Sequence, residues 1–592
     1  MSLFSELKRR NVFKVAAVYL IVGWLLLQVS DTLVPALHLP EWFHSGTAFL
    51  LILGFPVALI FAWAFELTPD GLKKENDVDR GQSITDVTGR KLDYVIIGLL
   101  VVALAYFAWD KFVLSAARHA ALVEGMMEPD VSAETDNSIA VLPFVNMSDD
   151  PDNEYFSDGL SDELLNTLVR AGGLKVTGRT SSFAFKGQNM DLREIGQRLN
   201  VANVLEGSVR KDGQRVRITA QLIKTSDGYH LWSGTFDREL DDIFAIQAEI
   251  ANQVTRALHV ALRGSEGADI LADTSAKQNA RAYEEYLRGM YVLQLNLDDE
   301  QGLERARIHF ANALEIDGQY LDAYWGMFKV WDRINRNGFG SFEVATERLA
   351  FYAAELERLV PGSEQALTAN ARSAIVHRDF VRSTELLEEA VQRFPGSSII
   401  LARYGNQSLM LGGYDQGISA ARAALRLDPL SAEYIVIMAA IQQKSGDCDG
   451  LQETVERALE LDPGMGRVRY HLAMCIYEAD GDAIPAVHIA NDEPLGFMYH
   501  TALAIFQHQL GNRDIAQQHL ETMIEDYGND AAYQYGQVYA QWGENEKALA
   551  WLETALKIRD PGILLAKGDK LLDPLRDDPR FQQILDTVGF PN

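Results

Sequence analysis

Polar and apolar positions divide this chain into three kinds of pattern. Residues 15–29, 48–65 and 94–109 are apolar runs without a formal charge. With its flanks, each approaches the roughly 20 residues of a bilayer-spanning helix. From residue 138, short apolar runs alternate with amphipathic segments. Strands are predicted at 138–144, 174–177, 203–210, 215–223 and 230–238, and helices at 161–170, 191–199 and 242–262. Asp-Gly pairs at 212–213 and 227–228 supply hairpin-turn chemistry between the last three strands. The order β-α-β-α-β-β-β-α predicts one α/β module with a mixed sheet.

From about residue 276, alanine, leucine and glutamate recur at helical spacing. Pro361, Pro395, Pro429 and Pro463 are 34 residues apart, as are Ala390, Ala424 and Ala458. That is the period of a two-helix repeat: alanine where paired helices cross, glycine at the reversal, proline after the second helix. The clearest copy is 530–560, with Gly536, Tyr539, Gly543, Ala548 and Ala555. Gly412, Gly446 and Gly511 occupy the equivalent turn in other copies. About seven or eight repeats are predicted, with 581–585 in a terminal cap. Such an array has an inner surface lined by the first helix of each pair. By repeat phase, Arg372, Asn406, Leu409, Gln537 and Gln541 face it and are the candidate partner-binding residues.

Ser138-Ile-Ala-Val-Leu-Pro-Phe144, Tyr155-Phe-Ser-Asp-Gly-Leu160, Arg179-Thr-Ser-Ser-Phe183, Val204-Leu-Glu-Gly-Ser-Val209 and Leu231-Trp-Ser233 resemble the TolB amino-terminal-like (FlgO-like) domain of bacterial envelope proteins. That domain is often fused to tetratricopeptide repeats. The resemblance spans about 125 residues and implies a fold and a compartment, not an enzymatic activity. The stretches 2–13 and 65–71 resemble the membrane part of such proteins, a family often labelled adenylate cyclase. Relatives often carry a cyclase or winged-helix domain in front; no such domain is expected here, so the resemblance does not bring the cyclase label with it.

Basic residues orient the membrane segments. Lys8, Arg9, Arg10, Lys14, Lys73, Lys74, Arg80, Arg90 and Lys91 fall on one side, and Lys111 and Arg118 on the other. Nine against two predicts a cytoplasmic N-terminus, with everything after about residue 115 in the periplasm. The expected fold is multidomain: a three-helix membrane domain over 1–115 (helices at about 12–34, 47–66 and 93–114), a linker over 116–137, the α/β domain over 138–265, and an all-α repeat solenoid over 276–592.

A formal net charge of −29 over 592 residues argues against a phosphate-backbone binder, so no nucleic-acid partner is expected. Two cysteines, Cys448 and Cys475, exclude a disulfide framework and a zinc knuckle. An oxidising compartment permits a bond between them, and spacing alone leaves it open. Phosphate-binding loops, His-Glu-x-x-His and Gly-x-Ser-x-Gly are missing from the sequence, so no catalytic, cofactor or metal residues are predicted. Asp158, Asp162 and Glu163 are read as charges at a helix start. Arg179 and Lys186 are read as solvated loop charges, with an anionic ligand as the alternative. Trp232 and Phe236 are expected in the core. The leading expectation is a non-enzymatic scaffold at the inner membrane, binding a protein or peptide partner of the cell envelope and contacting the lipid bilayer, with homo-oligomerisation left open. An envelope sensor whose α/β module binds a small ligand is the alternative, and a nucleotide-metabolising enzyme the third class.

Overall fold

The computed structural model describes residues 137–171, 174–258, 279–295, 299–337, 339 and 341–591, together with individual positions between 16 and 74. The chain divides into two compact units, Met1–Ala121 and Leu122–Asn592.

In the first unit, β1 (Phe65–Thr68) pairs antiparallel with β2 (Gly71–Lys74), Phe65 opposite Lys74 and Thr68 opposite Gly71. β1 therefore takes Phe65 and Glu66, which the apolar pattern assigns to the second predicted helix. The first two apolar segments touch. Tyr19 Oη donates to the Leu51 carbonyl at 2.9 Å, and its ring centre lies 5.5 Å from that of Phe55. Gly54 has no Cβ where the Tyr19 hydroxyl sits, the small-residue contact that lets helices approach closely. The predicted helix 93–114 lies outside the described residues, as do most of helices 12–34 and 47–66 and nearly all of the linker 116–137. No helix among the described residues is long and apolar enough to cross a membrane.

The second unit opens with a mixed sheet. Its strands are β3 (Ser138–Val141), β4 (Val145–Asn146), β5 (Lys175–Val176), β6 (Asn203–Asp212), β7 (Arg215–Lys224) and β8 (His230–Glu239). Their order is β5-β3-β6-β7-β8, with β4 extending the line of β3 beside β6. β3 is parallel to β5 and β6, whereas β6-β7-β8 is an antiparallel meander. Gly213, at φ 57°, occupies the first hairpin turn and Gly228, at φ 77°, the second, conformations that glycine adopts without Cβ strain.

Helix α1 (Glu154–Ala171) begins seven residues before its predicted start at Ser161. A turn at Pro151–Asn153, capped by Asp150, launches it. Phe156, Leu160, Leu164 and Leu168 then form one fully buried stripe. Helix α2 (Arg179–Phe183) was not anticipated from the pattern; α3 (Leu192–Leu199) and α4 (Ile243–Ala257) were. The fully buried stripes of α1 and α4 share one core with Val216, Ile218, Ala220 and Leu222 of β7. Ile195 and Leu199 of α3 cover Ala140 and Val204 on the opposite face. Phe236 is buried, and Trp232 is half-buried with its Nε1 donating to Gln253 Oε1 at 2.8 Å.

Eight helical hairpins follow. They are α5 (Ala280–Leu295) with α6 (Glu300–Ile316), α7 (Leu321–Asn337) with α8 (Phe342–Leu359), α9 (Glu364–Val376) with α10 (Phe380–Arg393), and α11 (Ser398–Leu411) with α12 (Tyr414–Leu427). Next come α13 (Ala432–Ser445) with α14 (Cys448–Leu461), α15 (Val468–Asp480) with α16 (Ala483–Ala490), α17 (Gly496–Gln509) with α18 (Arg513–Tyr527), and α19 (Ala532–Gln541) with α20 (Asn545–Ile558). Ala390, Ala424 and Ala458 are fully buried, as close helix crossings require. Short helical turns at Pro561–Gly568 and Lys570–Leu575 lead into α21 (Pro579–Val588). The array returns on itself: Arg378 donates to the Thr587 carbonyl, and Phe380 stacks on Phe590 with centroids 5.4 Å apart. Cys448 and Cys475 form a disulfide with Cα atoms 5.7 Å apart, tying α14 to α15.

Candidate interaction surface

The α/β domain and the repeats share a core that runs from Ile139 to Ala369. Its polar rim lies where α1 packs on α5. Tyr155, Asp158, Gly159, Asp162 and Glu163 fall on one α1 face by their three-to-four-residue spacing. A side chain on Gly159 would collide with the Leu287 methyls, so this glycine sets how closely α1 approaches α5. The three acids are thus mid-helix and buried, not charges at a helix start. Each has a partner. Lys186 binds Asp158 and also Glu154, the latter at 2.8 Å. Arg179 meets Asp162 at 3.3 Å and donates to Gln294, and Tyr286 Oη donates to Glu163 at 3.1 Å. The two basic residues read as solvated loop charges are therefore the counter-charges of this rim.

Burial, and next the Asp322 carboxylate, pushes Glu163 up to about 8. A carboxyl raised in this way favours folding while protonated. Its contribution is complete below the ordinary value of 4.5 and is lost as pH rises through about 8. Glu163→Gln is therefore expected to flatten the fall in melting temperature between pH 5 and pH 8, without weakening the protein at pH 8. Parallel melting curves for the two proteins would refute this.

The cleft in this rim, lined by Tyr155, Asp158, Asp162, Glu163 and Tyr286, has room for roughly one water. A second seam joins α2 to the junction of α12 and α13. Gly178 N donates to the Leu427 carbonyl at 2.7 Å, Ser181 N donates to Asp428 Oδ1 at 2.8 Å, and Leu430 N donates to Ser181 Oγ at 2.8 Å. The α/β domain thus spans from the first hairpin to the fourth and fifth.

The groove residues named from repeat phase fall into two groups. Arg372 is not a solvent-facing group. It donates to Asp332 at 2.5 Å and to Asn335 at 2.9 Å, while Arg336 and Arg403 each lie 3.3 Å from the same carboxylate. Burial alone would raise Asp332, yet Arg336, Arg372 and Arg403 outweigh it and hold the carboxyl far below the usual range. Asp332 thereby stitches the first helices of the second, third and fourth hairpins. Asn406 is half-buried, and Leu409 is buried against Ala421, Met438 and Ile441.

Gln537 and Gln541 are brought together under the C-terminal segment. Gln537 is buried and donates to Asp569 at 2.6 Å; Gln541 donates to the Leu571 carbonyl at 2.7 Å. Asp569, 1% exposed, also accepts from Lys444 at 2.8 Å and from Tyr533 at 2.6 Å. Burial pulls Lys444 down, but Asp569 and Glu478 outweigh it and raise the ammonium above its ordinary value. The inner face at these positions is therefore filled by the chain itself. Repeat phase assigns residues to the first helices, but it cannot show that a distant segment folds onto them. The buried run Leu571, Leu572 and Leu575 was the available signal for that segment.

Residues 135–253 match the second domain of HilA/YgeH-like transcriptional regulators, and residues 530–560 match a tetratricopeptide repeat. A Rhizobium meliloti (strain 1021) protein described as "Putative adenylate cyclase 3" is 40% identical over 191 residues, which is 32% of this chain and 32% of that protein. Among solved structures, a human IFIT1 dimer with PPP-AAAA aligns over 54% of this chain and 87% of its own, at 15% identity and TM-score 0.35. Yeast Tom70 aligns over 59% and 82%, at 14% identity and TM-score 0.33. At those scores the two structures carry no argument about fold or function. The chain is thus similar to a HilA/YgeH-like second domain at its mixed sheet and to a tetratricopeptide repeat in its eighth hairpin.

Proposed function

We propose that this chain is a non-enzymatic scaffold that binds a protein partner, held at the bacterial inner membrane with a cytoplasmic N-terminus and everything after about residue 115 in the periplasm. The observation that carries the reading is the locking of the α/β domain to the repeats at two buried seams, which builds one large binding body. The Cys448–Cys475 disulfide supports an oxidising compartment, and the Tyr19–Leu51 contact supports packed helices in the membrane domain. The envelope setting also rests on the resemblance to TolB amino-terminal-like domains. Since the chain itself fills the inner face around Asp332 and Asp569, the partner meets other surfaces. The edge of β8 beside Tyr229, 73% exposed, is one, and the second helices at Ile308 and Phe351 form another.

Two measurements test this. A reporter active only in the periplasm is expected to work when fused after Asn592, and a cytoplasmic reporter when fused at 75–82; the reverse pattern would overturn the orientation. Photo-crosslinkers at Tyr229, Leu231, Ile308 and Phe351 in intact cells are expected to give one discrete protein adduct at the β8 edge or at the helical ridge. Uniformly absent adducts, with cyclic nucleotide formed from ATP or GTP by the purified chain, would replace the scaffold by an enzyme.

A further inference from the structure

In the seventh hairpin, two imidazoles face each other nitrogen to nitrogen. His500 on α17 and His519 on α18 bring their Nδ1 atoms to 3.0 Å, with ring centroids 5.2 Å apart and planes tilted by 52°. Tyr499 stands edge-on to both rings, at 5.1 Å and 5.5 Å, and limits how far either can turn. Both histidines are half-buried, so solvent reaches the pair from one side. The two rings share one hydrogen between the facing nitrogens; moving it to the far nitrogen of its own ring leaves both Nδ1 atoms free as ligands.

We propose that His500 and His519 form an open two-imidazole site for a divalent transition-metal ion, with Cu²⁺ preferred. Metal–imidazole bonds of about 2.0–2.1 Å meeting at a right angle hold their nitrogens about 2.9 Å apart, whereas a tetrahedral angle spreads them to about 3.3 Å. The observed 3.0 Å lies within a few tenths of an ångström of both values, so either geometry is within reach, and Cu²⁺ is preferred because it heads the affinity order of divalent ions for imidazole nitrogen. Among the described residues, no group of three or more His, Cys, Asp or Glu is arranged around a metal. Water therefore completes the coordination, and the site stays open on its solvent side. Because the ion bridges α17 and α18, it binds the folded hairpin and stabilises it by mass action.

The test is a Cu²⁺ titration of the full, untagged chain in detergent, followed by electron paramagnetic resonance and thermal melting. One Cu²⁺ per chain is expected, with nitrogen hyperfine structure from two imidazoles and a raised melting temperature. His500→Ala and His519→Phe should each weaken binding by about tenfold or more; the phenylalanine keeps a ring against Tyr499 but offers no nitrogen. His488→Ala, changed on the exposed side of α16, should bind as the parent does. Zn²⁺ should bind more weakly than Cu²⁺. Unchanged Cu²⁺ stoichiometry and spectrum in a folded His500→Ala/His519→Phe chain would overturn the proposal, as would an absence of stoichiometric binding by the parent.

Discussion

Asp332→Ala is expected to destabilise the repeat array by about 3–5 kcal/mol, the cost of leaving buried charge uncompensated. Asp332 is 3% exposed and accepts the approach of Arg336, Arg372 and Arg403 from three different first helices. Without it, three guanidinium groups converge on a cavity and repel one another. Neither transfer of the side chain to water nor helix propensity produces an effect of that size, since exposed substitutions usually stay within about 0.5 kcal/mol. Denaturant titration of the full chain in detergent, read by far-ultraviolet circular dichroism, should show an earlier transition. Arg372→Met on the Asp332→Ala background should recover part of the loss, because it removes the most buried of the three cations, whereas Arg336 keeps Glu433 at 3.6 Å. A transition unmoved by Asp332→Ala would show that the network contributes only what a solvent-exposed ion pair does.

Asp569→Ala should cost a similar amount, about 3–5 kcal/mol, but with a local signature. It leaves the Lys444 ammonium buried beside Glu478 alone, at 3.7 Å, and strips an acceptor from Tyr533 and Gln537. The segment 561–575 keeps only the Gln541 bond to the Leu571 carbonyl as a polar tie to α19, so limited proteolysis should cut there first while α5 to α10 stay protected. Asp569→Asn should be milder, because an amide oxygen still accepts from Tyr533 and Gln537. Burial would raise Asp569, but Lys444 outweighs it and holds the carboxyl below its ordinary 3.8. Its contribution is therefore present above pH 3.8 and is lost as pH falls through the lowered native value, so acid should mimic Asp569→Ala. Equal cleavage of both proteins throughout the chain would show that the apolar contacts of Leu571, Leu572 and Leu575 hold the segment unaided.

Local pattern determined much of this molecule. The five predicted strands are present, because β-branched runs between Asp-Gly turns have few alternatives: β6 and β7 meet across Gly213, where a positive φ suits glycine. The 34-residue prolines and alanines marked helix junctions and crossings, and Gly412, Gly446, Gly511 and Gly543 take the left-handed turn expected of them. These features depend on neighbours within one repeat or one hairpin. What local pattern did not determine is which distant groups meet. Asp158, Asp162 and Glu163 looked like a helix start because acids commonly cap helices. Their helix begins earlier, and Lys186, Arg179 and Tyr286 arrive from other elements to make burial tolerable. Phase places Arg372, Gln537 and Gln541 on the inner line, yet Asp332 meets Arg372 there from the neighbouring first helix, and the segment around Asp569 folds back onto Gln537 and Gln541. The disulfide between Cys448 and Cys475 required the same tertiary knowledge, since a spacing of 27 residues carries no distance. Periodicity reports which face of an element is apolar. The packing of neighbouring helices, and of a segment that returns from further along the chain, decides what that face finally touches.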